Sequence, residues 1–140
     1  MIRSLNNEVL SLIKEEEGYR QFPYLCSRGK TTIGYGFNLD DVGLSKEEAG
    51  LLLEFRVDKI EEELFHKYFW FRPLDDNRKS AIISMVYQLG INGFSKFKKM
   101  IKALENEDYD LASTEMLDSK WARQTPNRVL RAAEIIRKGK

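Results

Sequence analysis

Residues 15 to 36 read EEEGYRQFPYLCSRGKTTIGYG, bringing three consecutive carboxylates, the only cysteine of the chain and a glycine-spaced, β-branched stretch close together. A carboxylate can serve as a general acid, a thiolate as a nucleophile or base, and a threonine hydroxyl can donate and accept a hydrogen bond at once. Glu17 is followed by Gly18, a natural helix stop, so it stands at a helix end. There a carboxylate faces the negative end of the helix dipole and neighbours Glu15 and Glu16, and both effects favour keeping its proton, as a general acid requires. The same residues suit a solvated acidic face, and spacing alone leaves both readings open. At Cys26, the nearby acids are expected to discourage ionisation of the thiol rather than promote it.

The surrounding periodicity supplies the elements. Leu5, Val9, Leu12 and Ile13 recur at helical spacing and predict a helix from about residue 4 to Glu17. From Phe22 to Phe37 the residues turn β-branched and aromatic, and SRGK at 27 to 30 interrupts them with turn chemistry, which reads as a hairpin. Ser45 and Glu48 make a capping box, after which Ala49, Leu53, Val57, Ile60 and Leu64 form one apolar stripe along a long helix. Beyond Pro73, helices are expected at about 76 to 89, 95 to 104, 108 to 118 and 126 to 138, the last with Thr125 as N-cap and Pro126 at its first position. The fold class is therefore α+β, mainly α, with a small antiparallel sheet, a long connecting helix and a C-terminal helical part.

Composition narrows the chemistry. The chain has 140 residues, of which 42% are hydrophobic and 32% charged, enough for one sizeable core. One cysteine excludes an internal disulfide and one histidine, His66, excludes the usual multi-ligand zinc centres, so neither a metal nor a cofactor is expected. The net charge of +1 conceals a basic end: residues 120 to 140 hold seven Lys or Arg against Glu134. Such an end suits a solvated helix face as well as an anionic polymer, and nothing resembling a nucleic-acid recognition helix accompanies it. No run of 18 apolar residues and no signal-peptide pattern occurs, so the expectation is synthesis in the cytoplasm without membrane insertion. GYGFNL at 34 to 39 has Leu39 where a dinucleotide fingerprint needs glycine, and NLDDVGLSKEEA has Val42 and Ala49 where a calcium loop needs oxygen ligands. A thiol protease pair of Cys26 with His66 is disfavoured because the histidine lies in the charged stretch EEELFHKYF.

Glu17, eight residues, Cys26, five residues and Thr32, followed by TIGYG, resembles the catalytic signature of the phage-type lysozymes, glycoside hydrolase family twenty-four. In that family the pattern is Glu, eight residues, Asp or Cys, five residues, Thr. LSKEEAGLLL, SAIISMVYQLG and SKWARQTPNR resemble the connecting helix and C-terminal lobe of the T-even phage lysozymes, so the resemblance covers nearly the whole chain. It implies a bilobed lysozyme-like domain over residues 1–140, with about 14–58 forming a small α/β lobe with the connecting helix and 1–13 and 59–140 a helical lobe. It also implies an endo-acting muramidase that cuts the β-1,4 bond between N-acetylmuramic acid and N-acetylglucosamine in a cleft between the lobes.

By that resemblance Glu17 is the general acid, Thr32 holds the attacking water or the sugar, and Cys26 takes the place of the Asp found in the best-known relatives. Asn38, Tyr87, Gln88 and Arg128 match substrate-binding positions, with Arg128 of TPNR neighbouring the catalytic Glu in relatives. Phe37 departs from the pattern, replacing the histidine commonly found there. The implied partner is peptidoglycan, met by a monomer that binds neither nucleic acid nor membrane and reaches the wall from the host cytoplasm after holin-type release. The competing expectation is an inactive lysozyme-like protein that binds cell wall or is built into a phage particle, and replacement of Asp by Cys26 favours it.

Overall fold

The computed structural model describes residues 7–140, so Leu5 and the start of the first predicted helix lie outside the described residues. The chain divides between Leu51 and Leu52 into two compact units. In the first, α1 (Glu8–Glu17) leads into β1 (Arg20–Leu25), β2 (Thr31–Gly34) and β3 (Phe37–Asn38), an antiparallel sheet in the order β1-β2-β3. Tyr24 pairs with Thr32, and Thr32 with Asn38, so β2 is the central strand. Pro23 lies on the edge strand β1, where the register shifts between Arg20 and Tyr24; a residue without an N–H is tolerated there because no ladder bond is lost.

Helix α2 (Lys46–Lys67) begins with the expected capping box: the Ser45 N–H donates to Glu48 Oε1 at 2.8 Å and the Glu48 N–H to Ser45 Oγ at 3.0 Å. The Ser45 N–H, and after it the Ser45 hydroxyl, hold the Glu48 carboxyl below its ordinary range. A carboxylate lowered in this way adds stability above its unfolded range, and loses it as pH falls through the lowered folded value. Ser45→Ala is expected to lower the thermal midpoint by a few degrees at neutral pH and by less in acid; an unchanged midpoint at neutral pH would show that the box contributes nothing. The apolar stripe of α2 is graded, from Leu53 at 47% exposure to Leu64 at 0%.

The second unit is helical: α3 (Asp76–Ser95), α4 (Lys98–Glu105), α5 (Tyr109–Leu117), α6 (Lys120–Gln124) and α7 (Pro126–Lys138), preceded by a 3-10 turn at Phe69–Phe71. Among the described residues, the buried hydrophobic ones lie between Leu64 and Ile136, with Phe71, Phe94, Ile82, Met85 and Met116 among the largest. Phe94 meets Tyr68 edge-on at 5.7 Å. Arg78 draws three helices together: Nε donates to Ile136 O at 2.6 Å at the end of α7, Nη1 pairs with Asp75 at 3.1 Å, and the guanidinium lies 3.7 Å from the Tyr109 ring on α5. Cationic donors at the last carbonyls of α7 meet the negative end of its dipole.

Three details differ from the sequence expectations. Helix α3 runs on to Ser95 through a kink at Gly90, whose φ of 79° and ψ of 160° are not helical. The short α6 was not expected; Ser119 caps it by accepting from the Ala122 N–H at 3.1 Å. Thr125 does precede α7, but its hydroxyl caps nothing there and donates backward to Trp121 O at 3.2 Å, a carbonyl that also accepts the Thr125 N–H at 3.0 Å, so the residue closes α6 instead. The whole is the mainly α, α+β fold expected. Among the described residues no helix is long and apolar enough to cross a membrane.

Candidate active site

Four of the expected site residues, Glu17, Cys26, Thr32 and Asn38, belong to the first unit. Glu17 is the last residue of α1, and Gly18 ends the helix with its N–H on Lys14 O at 2.9 Å. The exposed Glu17 side chain lies against Gly36, in the turn between β2 and β3. A methyl group on Gly36 would overlap the carboxyl group, 2.5 Å from Cδ and 2.9 Å from Cγ, and Gly36 itself has φ of +69°. The glycine therefore serves twice, adopting a left-handed backbone and leaving the space the carboxylate fills. Sequence reasoning passed over Gly36; its signal was a glycine next to a β-strand, which marks close approach of another group.

Cys26 follows β1 and opens the turn to β2, donating its N–H to Lys30 O at 2.9 Å while its own carbonyl accepts from the Gly29 N–H at 2.8 Å. The backbone N–H groups of Lys30 and Arg28, and to a lesser degree the Thr32 hydroxyl and the Arg28 charge, favour the thiolate. Together they outweigh desolvation and hold the thiol below its ordinary range. The expectation that ionisation is discouraged is thus reversed. The donors of the cysteine's own turn set its ionisation, not the acids that precede it in sequence.

Thr32 is only 4% exposed, and its hydroxyl donates to Lys30 O at 2.8 Å. Cross-strand from it, Asn38 is engaged by its own loop, donating from Nδ2 to Asp41 at 3.0 Å and accepting the Asp41 N–H at 3.0 Å. Lys30 Nζ meets Asp41 at 3.1 Å, and Asp40 accepts the Thr31 N–H at 2.7 Å. The hairpin therefore ties Cys26, Thr32 and Asn38 into one hydrogen-bonded block, with the Glu17 carboxyl seated on the adjoining turn.

Tyr87, Gln88 and Arg128 belong to the second unit. Tyr87, 50% exposed, lines a groove of about 300 Å³ with Leu53, Val57, Ser80, Ile83 and Ser84. Ser84 also holds Arg128, whose Nη2 donates to the Ser84 carbonyl at 3.0 Å and to its hydroxyl at 3.1 Å. Gln88 Oε1 accepts from Trp121 Nε1 at 2.9 Å, which fixes its amide. Ser84 and Trp121 went unnoticed in the sequence, although an indole N–H that is largely buried needs an acceptor. A larger groove of about 750 Å³, lined by Phe55, Glu62 and His66 among others, contains none of the expected site residues.

The phage lysozyme family model matches residues 14–138. Among curated relatives, Probable T4-type lysozyme 1 of Dictyostelium discoideum is 42% identical over 49% of this chain, a match that spans 41% of that protein's length. Probable T4-type lysozyme 2 of the same organism is 29% identical, covering 99% of this chain and 96% of its own. The Endolysin of Acyrthosiphon pisum secondary endosymbiont phage 1 is 32% identical, over 88% of this chain and 83% of its own. With the family model matched along nearly the whole chain and relatives aligned along most of their lengths, this chain belongs to the phage lysozyme family and is a glycoside hydrolase of the lysozyme type.

Proposed function

We propose that this chain is a muramidase of the endolysin kind, hydrolysing the β-1,4 bond between N-acetylmuramic acid and N-acetylglucosamine in peptidoglycan, with Glu17 as general acid. The observation that carries the reading is the seat of the Glu17 carboxyl on Gly36: it fixes an exposed carboxyl group on bare backbone, where a sugar can approach it. Proton transfer to the departing glycosidic oxygen leaves positive charge on an oxocarbenium-like sugar. Cys26 answers that charge. Its turn favours the thiolate, which can stabilise the cation or take a proton from the attacking water. Thr32, nearly buried, acts through Cys26 rather than by touching the sugar. Its one hydroxyl proton, held by the Lys30 carbonyl, can turn to the sulfur when that carries charge.

Clearing of isolated peptidoglycan, with reducing ends counted, tests the function; binding of the wall without release of reducing ends would make the chain a wall-binding module instead. The thiolate role makes a separate prediction. Cys26→Asp, which restores an anion, should stay within about tenfold of wild-type turnover, while Cys26→Ser and Cys26→Ala should each lose about 10²-fold. Because the thiol is held low, alkylation by iodoacetamide should set in at lower pH than for a free cysteine, and should inactivate the enzyme. Cys26→Ala at full turnover would remove Cys26 from the mechanism.

A further inference from the structure

Two exposed tyrosines flank the seat of Glu17. Tyr19 lies two residues beyond it, just past the helix end, and Tyr35 immediately precedes Gly36, on which the carboxyl rests. Their rings pack 5.5 Å apart at 49°, and the Lys14 ammonium stands 5.4 Å over the Tyr35 ring. Tyr19 is nevertheless 63% exposed and Tyr35 44%. Aromatic pairs normally form to bury area, yet neither ring belongs to the hydrophobic core, whose buried members among the described residues run from Leu64 to Ile136. Held between Lys14 and Tyr19, Tyr35 is the fixed member of the pair. Tyr19 keeps an open outer face.

We infer that Tyr19, buttressed by Tyr35 and Lys14, is a sugar-binding platform beside Glu17 that takes one N-acetylhexosamine ring of the glycan; the inference rests on the muramidase reading above. A general acid must come within hydrogen-bond reach of the glycosidic oxygen, so the sugars on both sides of that bond lie about one ring's length from the carboxyl. The tyrosine pair adjoins the carboxyl along the chain: Tyr35 precedes Gly36, on which Glu17 rests, and Tyr19, two residues past Glu17, packs on Tyr35. A pyranose presents a flat array of C–H groups that packs on an aromatic face, and Tyr is well suited because its ring is apolar and its hydroxyl wet. The Lys14 ammonium adds a donor at the edge of the same surface for the carbonyl of an N-acetyl group.

The experiment measures initial rates on soluble, uncross-linked glycan strands of alternating N-acetylglucosamine and N-acetylmuramic acid, for wild type, Tyr19→Ala, Tyr19→Leu and Tyr19→Phe. Leu keeps apolar bulk but has no flat face. Both Ala and Leu should raise KM about three- to tenfold with little change in kcat, and Phe should recover most of the affinity. Thermal midpoints should be unchanged, since the side chain is mostly exposed; a lowered midpoint with an unchanged KM would assign Tyr19 to structure and overturn the platform. So would a Phe variant as weak as Ala. Wild-type protein that releases no reducing ends would refute the muramidase reading and the platform together, whereas normal cleavage with all KM values alike would refute the platform alone.

Discussion

Glu17→Gln should reduce glycan cleavage by about 10²- to 10⁴-fold, to background in a turbidity assay, while folding and sedimentation with purified peptidoglycan remain nearly those of the wild type. The amide keeps the shape of the carboxyl group and can still lie on Gly36, but has no proton to deliver to the leaving oxygen. Glu17 ends α1 and is exposed, so no buried partner is orphaned by the change. Reducing ends released per minute, beside a pelleting assay for wall binding, separate chemistry from binding. Comparable turnover by the two proteins would rule out Glu17 as the acid. Loss of binding along with cleavage would point to a carboxylate that holds substrate.

Gly36→Ala should cost about 10²-fold in kcat, with a smaller effect on KM, because its new methyl must displace the carboxyl from its seat and misplacement by about 1 Å can cost that much. The substitution also strains the backbone, since an L-residue in the left-handed region pays about 1–2 kcal/mol. Gly34→Ala separates the two effects. Gly34 has nearly the same φ, +67°, but a methyl there meets nothing within 4 Å. Both variants should therefore lose similar stability, measured by chemical denaturation, and only Gly36→Ala should lose most of its turnover. Equal turnover losses would show that backbone strain, not the seat of Glu17, is what Gly36 relieves.

The neighbourhood of Cys26 shows why part of the candidate site stayed illegible in the sequence. Counting charges along the chain placed Glu15, Glu16 and Glu17 near the cysteine and predicted a suppressed thiolate. In the fold the N–H donors of the turn from Cys26 to Lys30 have the largest effect, and they act in the opposite direction. A backbone dipole carries no signature in the amino-acid letters, and its aim depends on the turn. Asn38 is similar: the sequence offers an amide to a substrate, whereas the loop has already bound it to Asp41.

What the sequence by itself determined is the set of local elements, because helix periodicity, the Ser45 and Glu48 capping box, the Gly18 stop and the turn at SRGK depend on residues within one or two turns of each other. The five-residue α6 escaped because it is shorter than two helical turns and shows no period, and Thr125 misled because two helix ends compete for one hydroxyl. Only the tertiary structure decided which distant groups meet. It seated Glu17 on Gly36, set Thr32 between Tyr24 and Asn38, fixed Gln88 on Trp121 and left Tyr19 exposed two residues past Glu17. The physical reason is range: local structure follows from backbone bonds between near neighbours, whereas a contact between residues 19 or 33 positions apart exists only once the elements carrying them have packed.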